Sequence, residues 1–246
     1  MKRSLSIIFH RVMNCADICM IRLLPLSKFQ IKQVHISFDD VHDSFKNVID
    51  KSCQSIFEIP FFNRLKKLHA KYGAKFSLYV FEDPSILYSS KILGELYENS
   101  WLKIGYHAGI NGTTSVESVE RFLSTFERTE SISDKTRLHR FSADPEVIKK
   151  LKEAGVKEVF CADDNRNSYG IPSSDFLSGG GTIREEILYT KTDLRLEHFC
   201  FLKLCRAEEQ KRIIIFAHEK PFVLFSESKK LEAILDKLPS DVQYEN

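Results

Sequence analysis

Apolar and polar positions along this chain change their period many times. Short, uniformly apolar runs such as Ile213-Ile214-Ile215 alternate with stretches whose apolar residues recur every three or four positions. A short apolar run suits a strand covered on both faces, and the longer period suits a helix with one buried stripe. Strands are expected at 33–38, 75–80, 102–106, 136–141, 158–162, 194–199 and 212–216. The helical period predicts helices over 60–72, 85–99, 115–128, 145–154 and 227–238. Two of these are well marked. In 60–72, Phe61, Phe62, Leu65 and Leu68 share one face, Lys66, Lys67 and Lys71 another, and Gly73 ends it. In 145–154, Asp144 is placed to cap, Pro145 takes the first helical position, and Glu146 suits the positive end. Val147, Ile148, Leu151 and Ala154 form its stripe before Gly155.

Strands and helices alternate about seven times, which argues for an α/β fold with a mostly parallel sheet. At 246 residues the expectation is one domain, a distorted (β/α) barrel over 1–246 with about seven parallel strands. Residues 1–30 stand outside the pattern as an N-terminal extension of uncertain form. No internal repeat or linker is evident. The 19 Phe residues are read as core filling.

Right-handed crossovers would bring the C-terminal end of every strand to one rim. Several runs end there in an acid or an imidazole: Asp39-Asp40, His107, His139, Asp164 and His218. Adjacent carboxylates repel, so the Asp39-Asp40 pair points to a cation or to catalysis. One carboxylate and two imidazoles make a common divalent-metal set with an open position, and Asp40, His107 and His139 can supply it. Asp39 is then placed as general base and His218 as the group that protonates the leaving atom.

Composition narrows the classes. The net charge is +2 with no basic run, so nucleic acid is not an expected partner. No apolar stretch reaches the ~18 residues of a membrane span. The six cysteines include no CxxC spacing, which argues against a zinc-thiolate cluster and suits reduced thiols in a cytoplasmic protein. Met1-Lys2-Arg3 ahead of Leu5, Ile7, Ile8 and Phe9 faintly suggests a signal peptide, but His10, Arg11, Asn14 and Asp17 break the run early. Gly179-Gly180-Gly181 fits neither a Walker loop nor a dinucleotide fingerprint, and a flexible loop near the site is expected.

With these residues assembled, Ser37-Phe38-Asp39-Asp40 resembles the opening motif of the polysaccharide deacetylases, the NodB-homology carbohydrate esterases. There the first Asp is the base and the second a metal ligand. Gly105-Tyr106-His107 falls where that family's His-x-x-x-His motif begins. Leu138-His139-Arg140-Phe141 falls at a motif normally centred on an Arg that steadies the base. Ala162-Asp163-Asp164 lies where a fourth motif is expected, and Phe216-Ala217-His218-Glu219 resembles the closing Leu-x-His-Asp motif with its general acid. The resemblance spans about residues 33–220 in the right order. It implies a divalent metal, zinc first, and hydrolytic deacetylation of a saccharide or a small acylated amide. Arg140, Asp164 and Tyr106 are the expected substrate contacts, with Tyr169 and Trp101 as further aromatic candidates.

The departures are specific. Asn111 stands where the second His belongs, Val41 replaces the usual Gly, and the Arg-Pro-Pro-Tyr motif is not intact. Either Asn111 or His139 fills the third ligand position; His139 is preferred because imidazole binds zinc better than an amide does. The same departures support a second reading, a barrel that binds carbohydrate without turning it over.

Overall fold

The computed structural model describes residues 2–25, 30–126, 129–176, 180–207, 210–224 and 227–246, with the side chains of 2–11 and 129 outside the description. Gly179, and residues 127–128 at the end of one expected helix, fall outside it. In chain order the elements are α1 (Lys2–Leu23), β1 (Gln33–Val41), α2 (Asp43–Asp50), α3 (Pro60–Tyr72), β2 (Phe76–Glu82), α4 (Ser90–Glu98) and β3 (Leu102–Gly109). Then follow α5 (Val116–Thr125), β4 (Lys135–Thr136), α6 (Pro145–Glu153), β5 (Glu158–Cys161), β6 (Gly181–Arg184), β7 (Ile187–Lys191) and β8 (Leu194–Arg195). The chain closes with α7 (Phe201–Arg206), β9 (Arg212–His218), α8 (Glu219–Leu224), α9 (Glu227–Leu235) and β10 (Gln243–Glu245).

The strands form two sheets. One runs β3-β2-β1-β9-β8 with β10 also on β1, and every pairing in it is parallel. The other runs β4-β5-β7-β6, antiparallel only between β6 and β7. Two seams join them. An isolated bridge links Ile104 to Ile132. On the far side the chain passes from β7 to β8, with Thr192 N donating to Cys161 O (3.3 Å) and Asp193 N to Ile214 O (3.1 Å). The fold is α/β, consistent with a distorted barrel whose ladder is interrupted at both seams.

Side-chain parity sorts the strands into two layers, because successive strand residues face opposite ways. Val34, Ile36 and Phe38 of β1 and Leu102, Ile104 and Tyr106 of β3 join one large cluster with Phe61 and Leu65 of α3 and Val119 and Phe122 of α5. The alternate positions face inward, where Tyr79, Phe160 and Ile214 form a separate small cluster. His35, Ser37 and Asp39 follow this inward parity along β1. His35 contacts the Tyr79 hydroxyl at 3.2 Å, and its pKa is driven well below the ordinary value by burial first, then by the positive charges of Lys135, Arg137 and Arg212. Gly105 is required here: a Cβ would sit 2.6 Å from Tyr79 Cδ1.

Several elements depart from expectation. The 136–141 strand stops after Thr136 and turns into a 3₁₀ segment at His139–Phe141, with left-handed φ values of 58° at Arg140 and 56° at Phe141. Two left-handed residues cannot continue a ladder. The 194–199 strand shortens to β8. The expected loop around Gly180 contains instead the β6–β7 hairpin, turned by Glu185 and Glu186 at φ 50° and 65°, as a two-residue hairpin turn requires. Asp144 occupies its N-cap position without a capping bond from its side chain. The α3 helix does end at a left-handed Gly73 (φ 67°).

The N-terminal extension is the helix α1, which turns Asn14 and Asp17 inward. Asp17 accepts from Cys200 N and Phe201 N, both at 2.8 Å, and pairs with Lys230 at 2.9 Å in full burial. Asn14 donates to Glu227 at 3.1 Å. The six cysteines form no disulfide among the described residues.

Asp193, at the β7–β8 seam, accepts from Ile214 N at 2.8 Å, yet burial raises its pKa to about 6. A carboxyl raised above its unfolded value is favoured protonated, so its ionisation costs stability as pH climbs from about 4 to about 6. The cost is up to about 3 kcal/mol, from roughly 1.4 kcal/mol per unit. Asp193→Asn should therefore be more stable than wild type at pH 8, with the difference vanishing near pH 4 in urea melts. A pH-independent difference would locate its effect elsewhere.

Candidate metal centre

Two β-bulges build the site. Between the pairs Phe38–Leu78 and Val41–Val80, β1 holds one residue more than β2; between Val80–Tyr106 and Phe81–Ala108, β3 holds one more, His107. Bulges re-aim side chains, and they commonly sit beside active sites. Asp40 takes a left-handed φ of 56°. That conformation costs about 1–3 kcal/mol outside glycine, and it lets two neighbours on one strand both serve the rim.

Asp40 Oδ1 lies 3.1 Å from His107 Nε2 and 3.6 Å from His139 Nδ1, and the two imidazole nitrogens are 3.3 Å apart. His107 Nδ1 contacts the Arg137 carbonyl at 2.5 Å. A carbonyl only accepts, so Nδ1 carries the proton and Nε2 turns its lone pair toward Asp40. Asp40 Oδ1 is buried with no hydrogen-bond partner. Acceptors thus face one another, which is the arrangement a cation resolves. The three separations bracket the edge of about 3.3 Å expected of a tetrahedron with ~2.0–2.1 Å bonds. The donor set therefore fits a divalent ion such as zinc, and Asp40, His107 and His139 form a candidate metal site. When the imidazoles are protonated instead, burial still opposes ionisation of Asp40, but hydrogen bonds from His107 and His139 and then the charges of His107 and His218 outweigh it and hold its carboxyl well below the usual range.

Asn111 is not in this cluster. Its Oδ1 accepts from Thr113 N (3.0 Å) and Thr113 Oγ1 (2.6 Å), closing the turn after β3. The next residue backs the ligand that is present: Gly112, at φ 76°, lies against His139, and a Cβ there would meet the ring at 3.4 Å.

Asp39 is buried and pairs with Arg137, Oδ1 to Nη1 at 2.9 Å. Arg137 also donates to Ser37 Oγ (2.9 Å) and Thr192 Oγ1 (3.0 Å), and its guanidinium lies 4.1 Å from the Phe216 ring centroid. Opposite Asp39 in the ladder stands His218. Its Nδ1 is 3.1 Å from Glu197 Oε1, and its Nε2 is 3.9 Å from Asp40 Oδ2. Burial opposes a charge on His218, but the Glu197 carboxylate prevails and raises its pKa above the ordinary value. The rim opens to a cleft of about 510 Å³ lined by Asp40, Phe81, Ile110, Arg195, His218 and Lys220 among others.

The expected substrate contacts fare differently. Tyr106 is fully buried on the helix side of β3, its hydroxyl 2.5 Å from Ser118 of α5, so it cannot meet a substrate. Parity explains this: Tyr106 shares its face with Leu102 and Ile104, and the bulge turns His107 inward. Arg140 is exposed, and it is Arg137, three residues earlier, that pairs with Asp39. Asp164 is partly exposed and forks onto Arg166, with Oδ2 at 2.6 Å from Nη2. Trp101 stacks on His69 (4.5 Å, 8°), and the Tyr169 hydroxyl is held between Leu138 N and Phe160 O. The sequence reading missed Arg137 and Glu197. The strand-like context before His139 and the run Leu194-Arg195-Leu196-Glu197 were the available signals.

No protein-family model and no curated protein matches the chain. Seven solved chains do. One is a candidate polysaccharide deacetylase involved in O-antigen biosynthesis from Bordetella bronchiseptica, at 10% identity over 82% of this chain and 81% of that one, with a TM-score of 0.43. Another is 4-alpha-glucanotransferase from Thermococcus litoralis, at 15% identity and a TM-score of 0.50, covering 88% of this chain but 38% of the enzyme. The likeness to the glucanotransferase is one of fold, over less than half of that enzyme's length.

Proposed function

We propose that this protein is a metal-dependent hydrolase that removes an acyl group, acetyl first, from a saccharide or a related amide. The observation that carries the reading is the convergence of three lone-pair donors, Asp40, His107 and His139, beside a buried Asp39–Arg137 pair and a Glu197-backed His218. A divalent ion held by the three donors would supply Lewis-acid polarisation of the acyl oxygen and make water easier to deprotonate. Asp39, held by Arg137, accepts the proton of the attacking water. His218 donates from Nε2 to the departing nitrogen or oxygen while Glu197 holds its Nδ1–H. Phe81, Ile110 and Lys220 line the approach.

His139 in the cluster and Arg137 beside Asp39 support turnover over the reading of a binding barrel without it. The test is elemental analysis with an acetate-release assay on acetylated oligosaccharides. About one metal equivalent per chain is expected in wild type and roughly a tenth of that in His107→Ala, in line with a lost ligand. Metal content equal in the two proteins, or a loaded wild type that releases no acetate from any acylated saccharide or amide, would overturn the proposal.

A further inference from the structure

Helix α1 is built inside out. Its polar Asn14 and Asp17 are buried, with Ile18 and Ile21, against α7 and α9. Its outward side carries Val12 (60% exposed), Met13 (40%), Met20 (37%) and Leu23 (83%), with exposed Cys15 and Cys19 between them. Among exposed residues from 12 to 23, Arg22 alone is charged. A helix that covers nothing else would reverse this arrangement, with apolar groups inward and polar ones in water. The outward face is thus an apolar patch, and such patches mark interaction sites.

Charge and size identify the occupant. The helix contains Lys2, Arg3, Arg11 and Arg22, and its one acid, Asp17, is neutralised by Lys230 in the interior. The helix sequence is therefore net positive, and its described outward side adds the exposed Arg22 to the apolar groups. From Val12 to Leu23 the face is about 18 Å long and about 10 Å wide, a few hundred Å² at most, against ~800 Å² per partner in a stable dimer. No described helix is long and apolar enough to cross a membrane. We propose that α1 lies on the surface of an anionic lipid bilayer, its outward face seated among the headgroups and its cations on the anionic lipids. An apolar face joined to Lys and Arg is what such binding requires.

Val12 and Leu23 are eleven residues apart and return to the same direction at about 100° per residue, so V12E/L23E strikes the centre of the face without touching the buried side. The full-length protein, kept reduced because Cys15 and Cys19 are exposed, is sedimented with vesicles of phosphatidylcholine alone or mixed with phosphatidylglycerol. Wild type should pellet with the mixed vesicles and weakly with the neutral ones. V12E/L23E should lose about tenfold or more in partitioning while keeping its circular dichroism. Wild type left in the supernatant overturns the proposal, as does equal pelleting with both vesicle types or unchanged binding by the variant. A dimer in light scattering that V12E/L23E dissolves, without vesicle binding, assigns the face to a second copy and overturns it as well.

Discussion

Asp39→Asn is expected to lower acyl hydrolysis by roughly 10²–10⁴-fold, the range a positioned general base contributes, with kcat carrying the loss and metal content unchanged. Asn keeps the shape of the side chain and one oxygen for Arg137 Nη1, so the geometry around Ser37 and Arg137 survives. What it loses is the ability to take a proton. The metal cluster lies one residue away on Asp40, and none of its three donors belongs to Asp39. A ligand substitution such as His107→Ala should instead lose metal and activity together. Turnover within threefold of wild type, with metal bound, would sink Asp39 as the base. Removing a buried carboxylate also leaves Arg137 without its charge partner, so melting must be measured alongside rates.

The candidate-site side chains at strand ends were legible because a polar break in an apolar run leaves a local mark there. Asp39-Asp40 after an apolar run, His107 after another and His218 after Ile213-Ile214-Ile215 break the pattern abruptly, and parallel strands bring such breaks to one rim. Groups that act from the interior leave no such mark. Arg137 lies in a short strand-like run and is completely buried, a place where a cation is not expected without its partners in view. Its partners, Ser37, Asp39 and Thr192, are 55 to 100 residues away, and no short-range spacing encodes them. Arg140, expected as a substrate contact from its place in the resemblance motif, is exposed at the 3₁₀ segment. Tyr106 failed for a related reason: an aromatic beside a ligand reads as a substrate contact until strand parity assigns it to the helix layer. The β6–β7 hairpin was hidden by its glycines, which resemble a loop. The α1 helix was hidden by Asn14 and Asp17, which break an apolar pattern from the inside.

Local strain fits the same picture. Asp40, itself in the candidate cluster, and Arg140 and Phe141, the two residues after His139, hold left-handed conformations without being glycine. At about 1–3 kcal/mol each, such conformations persist where surrounding contacts over-determine them. Close by, the Arg137 carbonyl meets His107 Nδ1, and the Arg137 side chain pairs with Asp39, the residue before Asp40.

Arg137→Met is therefore expected to be the most destabilising single change in the site, by about 3–5 kcal/mol, the cost of leaving a buried charge without its partner. For a chain of this length that corresponds to a fall in melting temperature of roughly 6–20 °C. Met fills much of the same space over Phe216 but donates nothing to Asp39, Ser37 or Thr192. The backbone carbonyl that holds His107 remains, so metal binding should weaken far less than folding does. Volume alone can be separated from charge by a double-mutant cycle. Arg137→Met on the Asp39→Asn background leaves no unpaired buried carboxylate, and should cost about 1–3 kcal/mol less than on wild type, within the coupling range of contacting residues. If Arg137 merely fills the interior, the two costs will be equal, and the link between base and metal centre through this residue fails.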